Sequence, residues 1–348
     1  MRVNHEQERM HVSEIISGLD DIAKQAFSEQ QEEAKYGLLA LKVGCQAFSG
    51  ISNSGLPIIY DLPLVKECCF YASSAMDLVR YYRKIPDKKK LKSMRKHLRL
   101  IGAGYFGLSG SYMNQQNNES SLRGRFSDYG IEPYPAELRK DASRKAIELM
   151  IALAALNRFE DVELEDPEDS NSSSPNPDVI ITHDQKRYGI ACKSISSKNT
   201  ENLKERILEG VNQIERSIHA KTVDPYRGVV LIDVSSLLDH DALYLPDREH
   251  VWSFKDAGDV IVSSMSAVIN EILENDHPQS FKDAVENLFE GSKAAPAVLV
   301  YANSCMICAN SNSSIFPAYM KAMTVYFAGD HSPVKSFLDK LNKAIHCQ

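Results

Sequence analysis

The sequence predicts an α/β protein with a mixed sheet flanked by helices, preceded by a mostly helical N-terminal region. Three observations carry this. Apolar residues recur at helical spacing through the first 125 residues. After Pro135 a strong helix gives way to short β-rich segments with further helices between them. The chain has 348 residues, against roughly 100–200 for one domain, which suggests two units without internal repeats, 1–125 and 126–348, or one domain with large additions.

In the first unit, Ile15, Ile16, Leu19, Ile22 and Phe27 mark a helix within 12–30. Leu64, Cys68, Tyr71, Ala75, Leu78 and Tyr82 mark a second. Ile85-Pro86-Asp87 ends it, because proline removes a donor and restricts the residue before it. A basic helix is expected over 88–108, and 109–128, rich in Ser, Asn, Gln and Gly, reads as a linker.

The second unit opens with a helix over 136–157. Strands are expected at 162–165, 178–183, 187–194, 228–234, 297–302 and 324–328. Helices are expected at 200–217, 256–274, 280–289 and 334–345. Residues 166–177 form a Ser/Asn/Pro-rich loop.

Composition narrows the function classes. Hydrophobic residues at 43% and charged residues at 25% suit a globular chain with a sizeable core. The N-terminus lacks the apolar stretch of a secretory signal, and no run approaches the roughly 18 apolar residues of a membrane span, so a cytoplasmic protein is expected. Seven cysteines without framework spacing fit reduced thiols. Cys305 and Cys308 form a lone CxxC with no second ligand pair, which reads as buried thiols rather than a zinc site.

Three features within 50 residues point to chemistry. Glu148 is the lone charge in AIELMIALAAL, a string apolar almost all round and therefore buried. A carboxylate there needs a cation, strong donors or a proton, unless it occupies a solvated edge or a structural ion pair. Pro177-Asp178 precedes the strand segment Val179–Thr182, and Ala191-Cys192-Lys193 ends the next one. Side chains alternate along a strand, so positions 191 and 193 share a face. With the turn centred between Gln185 and Lys186, paired positions sum to 371. That sets Asp178 opposite Lys193 and Ile180 opposite Ala191, in one tight triangle. An ordinary surface hairpin with an Asp–Lys pair would look the same.

These pieces resemble the PD-(D/E)xK nuclease superfamily over roughly 136–234: the helical Glu148, the Pro177-Asp178 pair, and Ala191-Cys192-Lys193 where the family has Asp/Glu-x-Lys. The resemblance implies a restriction-endonuclease-like sheet, Mg²⁺ or Mn²⁺, and hydrolysis of a nucleic-acid phosphodiester. It implies metal ligation by Asp178, by residue 191, by the Cys192 carbonyl and by Glu148, with Lys193 positioning water or stabilising charge on the phosphate. A polar residue on the following helix is also implied to face the site. There Arg206 and Gln213 flank the stripe of Leu203, Ile207, Val211 and Ile214, a pattern that a solvated face also explains.

The departure is Ala191, since a methyl group binds no metal and Mg²⁺ needs hard oxygen ligands. Either an acid has been replaced in an otherwise intact site, or the chain is a natural pseudo-nuclease; the intact remainder favours the first.

The net charge is −7, yet ten Lys or Arg residues and one acid stand between Arg80 and Arg99. Arg80, Arg83, Lys84, Lys88, Lys89, Lys90, Lys92, Arg95, Lys96 and Arg99 are candidates for gripping a phosphate backbone, and Tyr81 and Tyr82 for stacking on bases. A solvated face, or a surface for a partner protein or a second copy, is the other reading. The leading expectation is a metal-dependent DNA endonuclease, with RNA open as substrate and restriction or phage defence suggested by the family's uses. The alternative is a non-catalytic module that binds nucleic acid or protein.

Overall fold

Seven strands join into one mixed sheet in the computed structural model, which describes residues 12–26, 38, 41–42, 44–49, 62–84, 147–156, 158–165, 176–244, 251–274, 280–309 and 315–346. Helices α1 (Val12–Ala26), α2 (Leu62–Lys84) and α3 (residues 147–156) precede the sheet. Strands β1 (Asp161–Leu164), β2 (Val179–His183) and β3 (Lys186–Ser194) form an antiparallel meander. Helix α4 (Thr200–His219) then crosses to β4 (Gly228–Asp233), which runs parallel to β3. After α5 (His240–Tyr244), β5 (Trp252–Ser253), α6 (Phe254–Glu274) and α7 (Phe281–Val285) come the long strands β6 (Ala297–Ala309) and β7 (Ile315–Phe327), then α8 (Lys335–His346). Strand β6 pairs parallel with β4, and with β5 further along, while β7 takes its other edge antiparallel.

Local chemistry explains these boundaries. Asn199 caps α4, its side chain accepting from the backbone N–H of Glu201 at 2.7 Å, and Arg216 and His219 occupy the last turn, where the helix dipole favours cations. Strand β4 is buried at every position, as a central parallel strand must be with helices on both faces. Asp184 and Gln185 turn the β2–β3 hairpin with φ of 49° and 60°, the two-residue left-handed turn whose twist suits paired strands.

That turn corrects the expected register. The chain reverses one residue earlier than between Gln185 and Lys186, so His183 pairs with Lys186, Ile180 with Gly189 and Val179 with Ile190. Ile180 is therefore not opposite Ala191. One step beyond the Val179–Ile190 pair, Asp178 falls opposite Ala191, not Lys193. A shift of two leaves every side chain on its expected face.

Strands β6 and β7 also exceed the expected 297–302 and 324–328: each has 13 residues. Asn303, Ser304 and Pro317 look like breakers in the sequence. The strands instead satisfy each other along their whole length, from Ala297↔Phe327 to Ala309↔Ile315. Pro317 is tolerated because β7 pairs with β6 alone among the described residues, and an edge strand can spare a donor.

Three apolar cores surround the sheet. One face packs α4 and α6, through Leu203, Ile207, Ile214, Ile261 and Met265, against Ala191, Val230, Ile232 and Val300. The other packs α3 and α8, through Ile151, Ala152, Phe337 and Leu341, against Val179, Ile190, Cys192 and Leu231. The third joins α1 and α2 to Leu149 and Leu153 of α3 and to Cys305 and Ile307 of β6. A buried ion pair crosses between α2 and β7, with Lys321 Nζ 3.2 Å from Asp77 Oδ2. The contact of α4 with β4 is close: a Cβ on Gly228 would lie 2.1 Å from Ile214 Cγ2. No helix among the described residues is long and apolar enough to cross a membrane.

Candidate functional site

Asp178 immediately precedes β2, and Lys193 is the penultimate residue of β3. The two strands are antiparallel, so both residues stand at one edge of the sheet. Lys193 Nζ lies 3.8 Å from Asp178 Oδ2, which places the two side chains on the face that strand parity requires. The Cys192 backbone N–H donates to Asp178 Oδ2 at 2.6 Å, so the carboxylate caps the open end of the hairpin.

Gln213 completes the group. Its Nε2 donates to Asp178 Oδ1 at 3.3 Å and to the Asn176 carbonyl at 3.2 Å, and its Oε1 accepts from Lys193 Nζ at 2.5 Å. The amide thereby holds an ammonium and a carboxylate in fixed relation. Gln213 is buried, so the solvated-face explanation of its position fails. Helical phase alone could not settle this, because residue 213 adjoins the stripe ending at Ile214 and only the packing of α4 on β3 and β4 turns it inward. Arg206, also expected beside that stripe, pairs with Glu209 at 2.7 Å.

Ala191 is 0% exposed, and its methyl packs among the apolar residues of α4 and β4. The Cys192 thiol turns to the opposite core. Glu148 is 2% exposed on α3, one turn before Ile151 and Ala152, which pack on the face opposite α4. The structure thus brings Asp178, Lys193 and Gln213 into contact beside Ala191, whereas Glu148 comes from the other helical layer.

This donor set does not fit Mg²⁺. The ion needs several hard oxygen ligands in near-octahedral array. The contact group supplies a single carboxylate, which already accepts from the Cys192 N–H and the Gln213 amide and faces an ammonium. Position 191 contributes no oxygen from its side chain. Among the described residues, the one set of three His, Cys, Asp or Glu side chains with ligand spacing includes neither Asp178 nor Glu148.

Sequence reading missed Asp233, which ends β4 at the same edge and pairs in the parallel ladder with Ser194 and Tyr301. Ser235 donates to Asp233 Oδ1 from its backbone N–H at 3.0 Å and from its hydroxyl at 2.5 Å. Burial outweighs these bonds and pushes the Asp233 carboxyl from 3.8 up to about 6. A raised folded-state value means stability that is full below 3.8 and lost as pH rises through about 6. The displacement corresponds to about 3 kcal/mol. Asp233→Asn is expected to raise stability above that pH and to flatten the slope between the two values, read as urea midpoint against pH. An unchanged slope would assign the titration to another group.

Of the basic stretch, Arg80 and Arg83 lie on α2 and Lys84 ends it; Arg83 is 4.0 Å from Glu14 Oε2. Lys88, Lys89, Lys90, Lys92, Arg95, Lys96 and Arg99 lie outside the described residues. Cys305 and Cys308 are both buried, in different cores on opposite faces of β6, so this CxxC cannot close on one metal ion. Comparison with family models, with curated proteins and with solved structures finds no match for this chain.

Proposed function

We propose that residues 136–234 carry a PD-(D/E)xK-type phosphodiester site, disarmed at Ala191, in a protein whose substrate is DNA. The observation that supports this best is the contact group of Asp178, Lys193 and Gln213 at the open end of the β2–β3 hairpin. The order of elements supports it too: a helix, an antiparallel three-stranded meander, a crossover helix and a parallel strand surround that group. In this reading Lys193 offers its ammonium to a phosphate oxygen, and Gln213 sets the direction of that ammonium. Mg²⁺ or Mn²⁺ belongs to the form with an acid at position 191. The test is plasmid nicking by the Ala191→Glu variant beside the chain as it stands, with Mg²⁺, Mn²⁺ or chelator. A folded variant that binds no divalent ion and cuts neither DNA nor RNA overturns the reading.

A second reading, a non-catalytic nucleic-acid- or protein-binding module, has one observation of its own. Protein donors already occupy both oxygens of Asp178, and the Ala191 methyl is fully packed. Both readings use the basic stretch. Neutralising Lys88, Lys89, Lys90 and Lys92 together is expected to weaken DNA binding and to flatten its salt dependence. Each duplex phosphate no longer neutralised lowers the log–log slope by about 0.9. Fluorescence anisotropy across a salt series measures it, and unchanged affinity and slope would give that stretch to a protein partner.

A further inference from the structure

At the opposite end of the same hairpin, three side chains converge, from the last residue of β2, the turn after it and the approach to β1. Glu160 Oε1 accepts the backbone N–H of Asp184 at 2.9 Å, which ties the approach to β1 to the hairpin turn. His183 Nε2 stands 3.5 Å from Asp184 Oδ2. One ligand atom from each of Glu160, His183 and Asp184 lies within 4.8 Å of the other two. Four ligands placed tetrahedrally at about 2.1 Å around zinc are themselves about 3.4 Å apart. The His183–Asp184 separation is close to that value, and Glu160 is an exposed side chain.

The imidazole is the independent sign of a ligand. His183 is 6% exposed, and its Nε2 is a buried atom with no hydrogen-bond partner among the described residues. Burying a polar nitrogen without a partner is costly. The ring is also held in place: Phe159 meets it edge-on at 5.4 Å, and Tyr188 lies at 6.2 Å on another side. Such walls fix the direction of the Nε2 lone pair, which is the preorganisation that a metal ligand needs. One nitrogen with two carboxylates suits a borderline first-row ion, and it is a poor set for Mg²⁺, which prefers oxygen alone.

We propose that Glu160, His183 and Asp184 bind a transition-metal dication of the Zn²⁺ class, forming a clip that fastens the β2–β3 turn to the start of β1. The site is separate from Asp178 and Lys193 and does not depend on the nuclease reading.

Lys340 stands behind the ring, on its Nδ1 side. Its Nζ lies 3.4 Å from His183 Nδ1. An ammonium has no lone pair, so this contact needs Nδ1 as the acceptor and is lost when Nδ1 carries the ring proton. Metal binding needs the Nε2 lone pair, which leaves the ring proton to Nδ1 and requires Lys340 to withdraw. A Lys340→Gln side chain would instead accept the Nδ1–H through its amide oxygen, the arrangement common behind metal-bound histidines.

The experiment titrates the full chain with Zn²⁺ by calorimetry, with Mg²⁺ as control, and follows Co²⁺ substitution by visible absorption. The expected result is one equivalent bound, a Co²⁺ spectrum without thiolate charge transfer, and a rise in melting temperature. Glu160→Gln and Asp184→Asn, both at exposed positions, are expected to weaken that equivalent by about tenfold or more, and Lys340→Gln to tighten it by about tenfold. Asp178→Asn is expected to leave it unchanged. Absence of a bound equivalent in the parent chain overturns the proposal. So does a Zn²⁺ affinity that Glu160→Gln, Asp184→Asn and Lys340→Gln all leave unaltered.

Discussion

Ala191→Glu is expected to produce Mg²⁺- or Mn²⁺-dependent cleavage of DNA where the chain as it stands shows little or none. Position 191 is fully buried between Asp178 and the apolar stripe of α4. A carboxylate placed there loses its hydration, at an effective cost of several kcal/mol unless a cation compensates. Without a divalent ion the variant should therefore melt below the parent, and added Mn²⁺ or Mg²⁺ should restore it, an ion effect that the parent lacks at this site. Calorimetry then separates an absent ion site from an absent activator. Adding Lys193→Ala to this variant is expected to abolish cleavage by about 10²-fold or more while leaving much of the DNA affinity, because transition-state stabilisation and backbone grip are different quantities. Equal loss of binding and cleavage would make Lys193 a docking residue and favour the binding-module reading.

Lys321→Met is expected to cost about 3–5 kcal/mol of stability, the range for breaking a buried ion pair from one side. Asp77 and Lys321 are both buried, and Asp77 Oδ1 has no hydrogen-bond partner among the described residues. Removing the ammonium strands a carboxylate between α2 and β7. The double variant Asp77→Leu/Lys321→Met is expected to recover most of the loss, since replacing both charges with apolar groups removes the desolvation penalty with the attraction. Urea midpoints of the parent, single and double variants measure this. A single variant within about 0.5 kcal/mol of the parent would show that water reaches Asp77 or that the pair forms only weakly.

The alternation that put residues 191 and 193 on one face depends on strand geometry alone, and a register error of two preserves it, so Asp178 and Lys193 came out together despite the misplaced turn. The stripe Leu203, Ile207, Val211 and Ile214 likewise needed only the helical period. The apolar string around Glu148 marked its helix as buried, while the burial of the carboxylate itself, 2% exposed, came from the structure. Such features are local, and the sequence by itself determined them.

Tertiary structure decided the rest. Which two residues take positive φ at Asp184 and Gln185 sets the register, and Asp tolerates that conformation without the glycine that would have marked it. The full length of β6 and β7 depends on each strand satisfying the other across Asn303, Ser304 and Pro317. Gln213 turns inward because α4 packs closely on Gly228, a contact that helical phase does not contain. Asp77 meets Lys321 across 244 positions, and Glu160 meets the hairpin turn across 24. Patterns of period two or 3.6 report which face a residue takes, but not which distant group will share it, because that depends on how the finished layers stack.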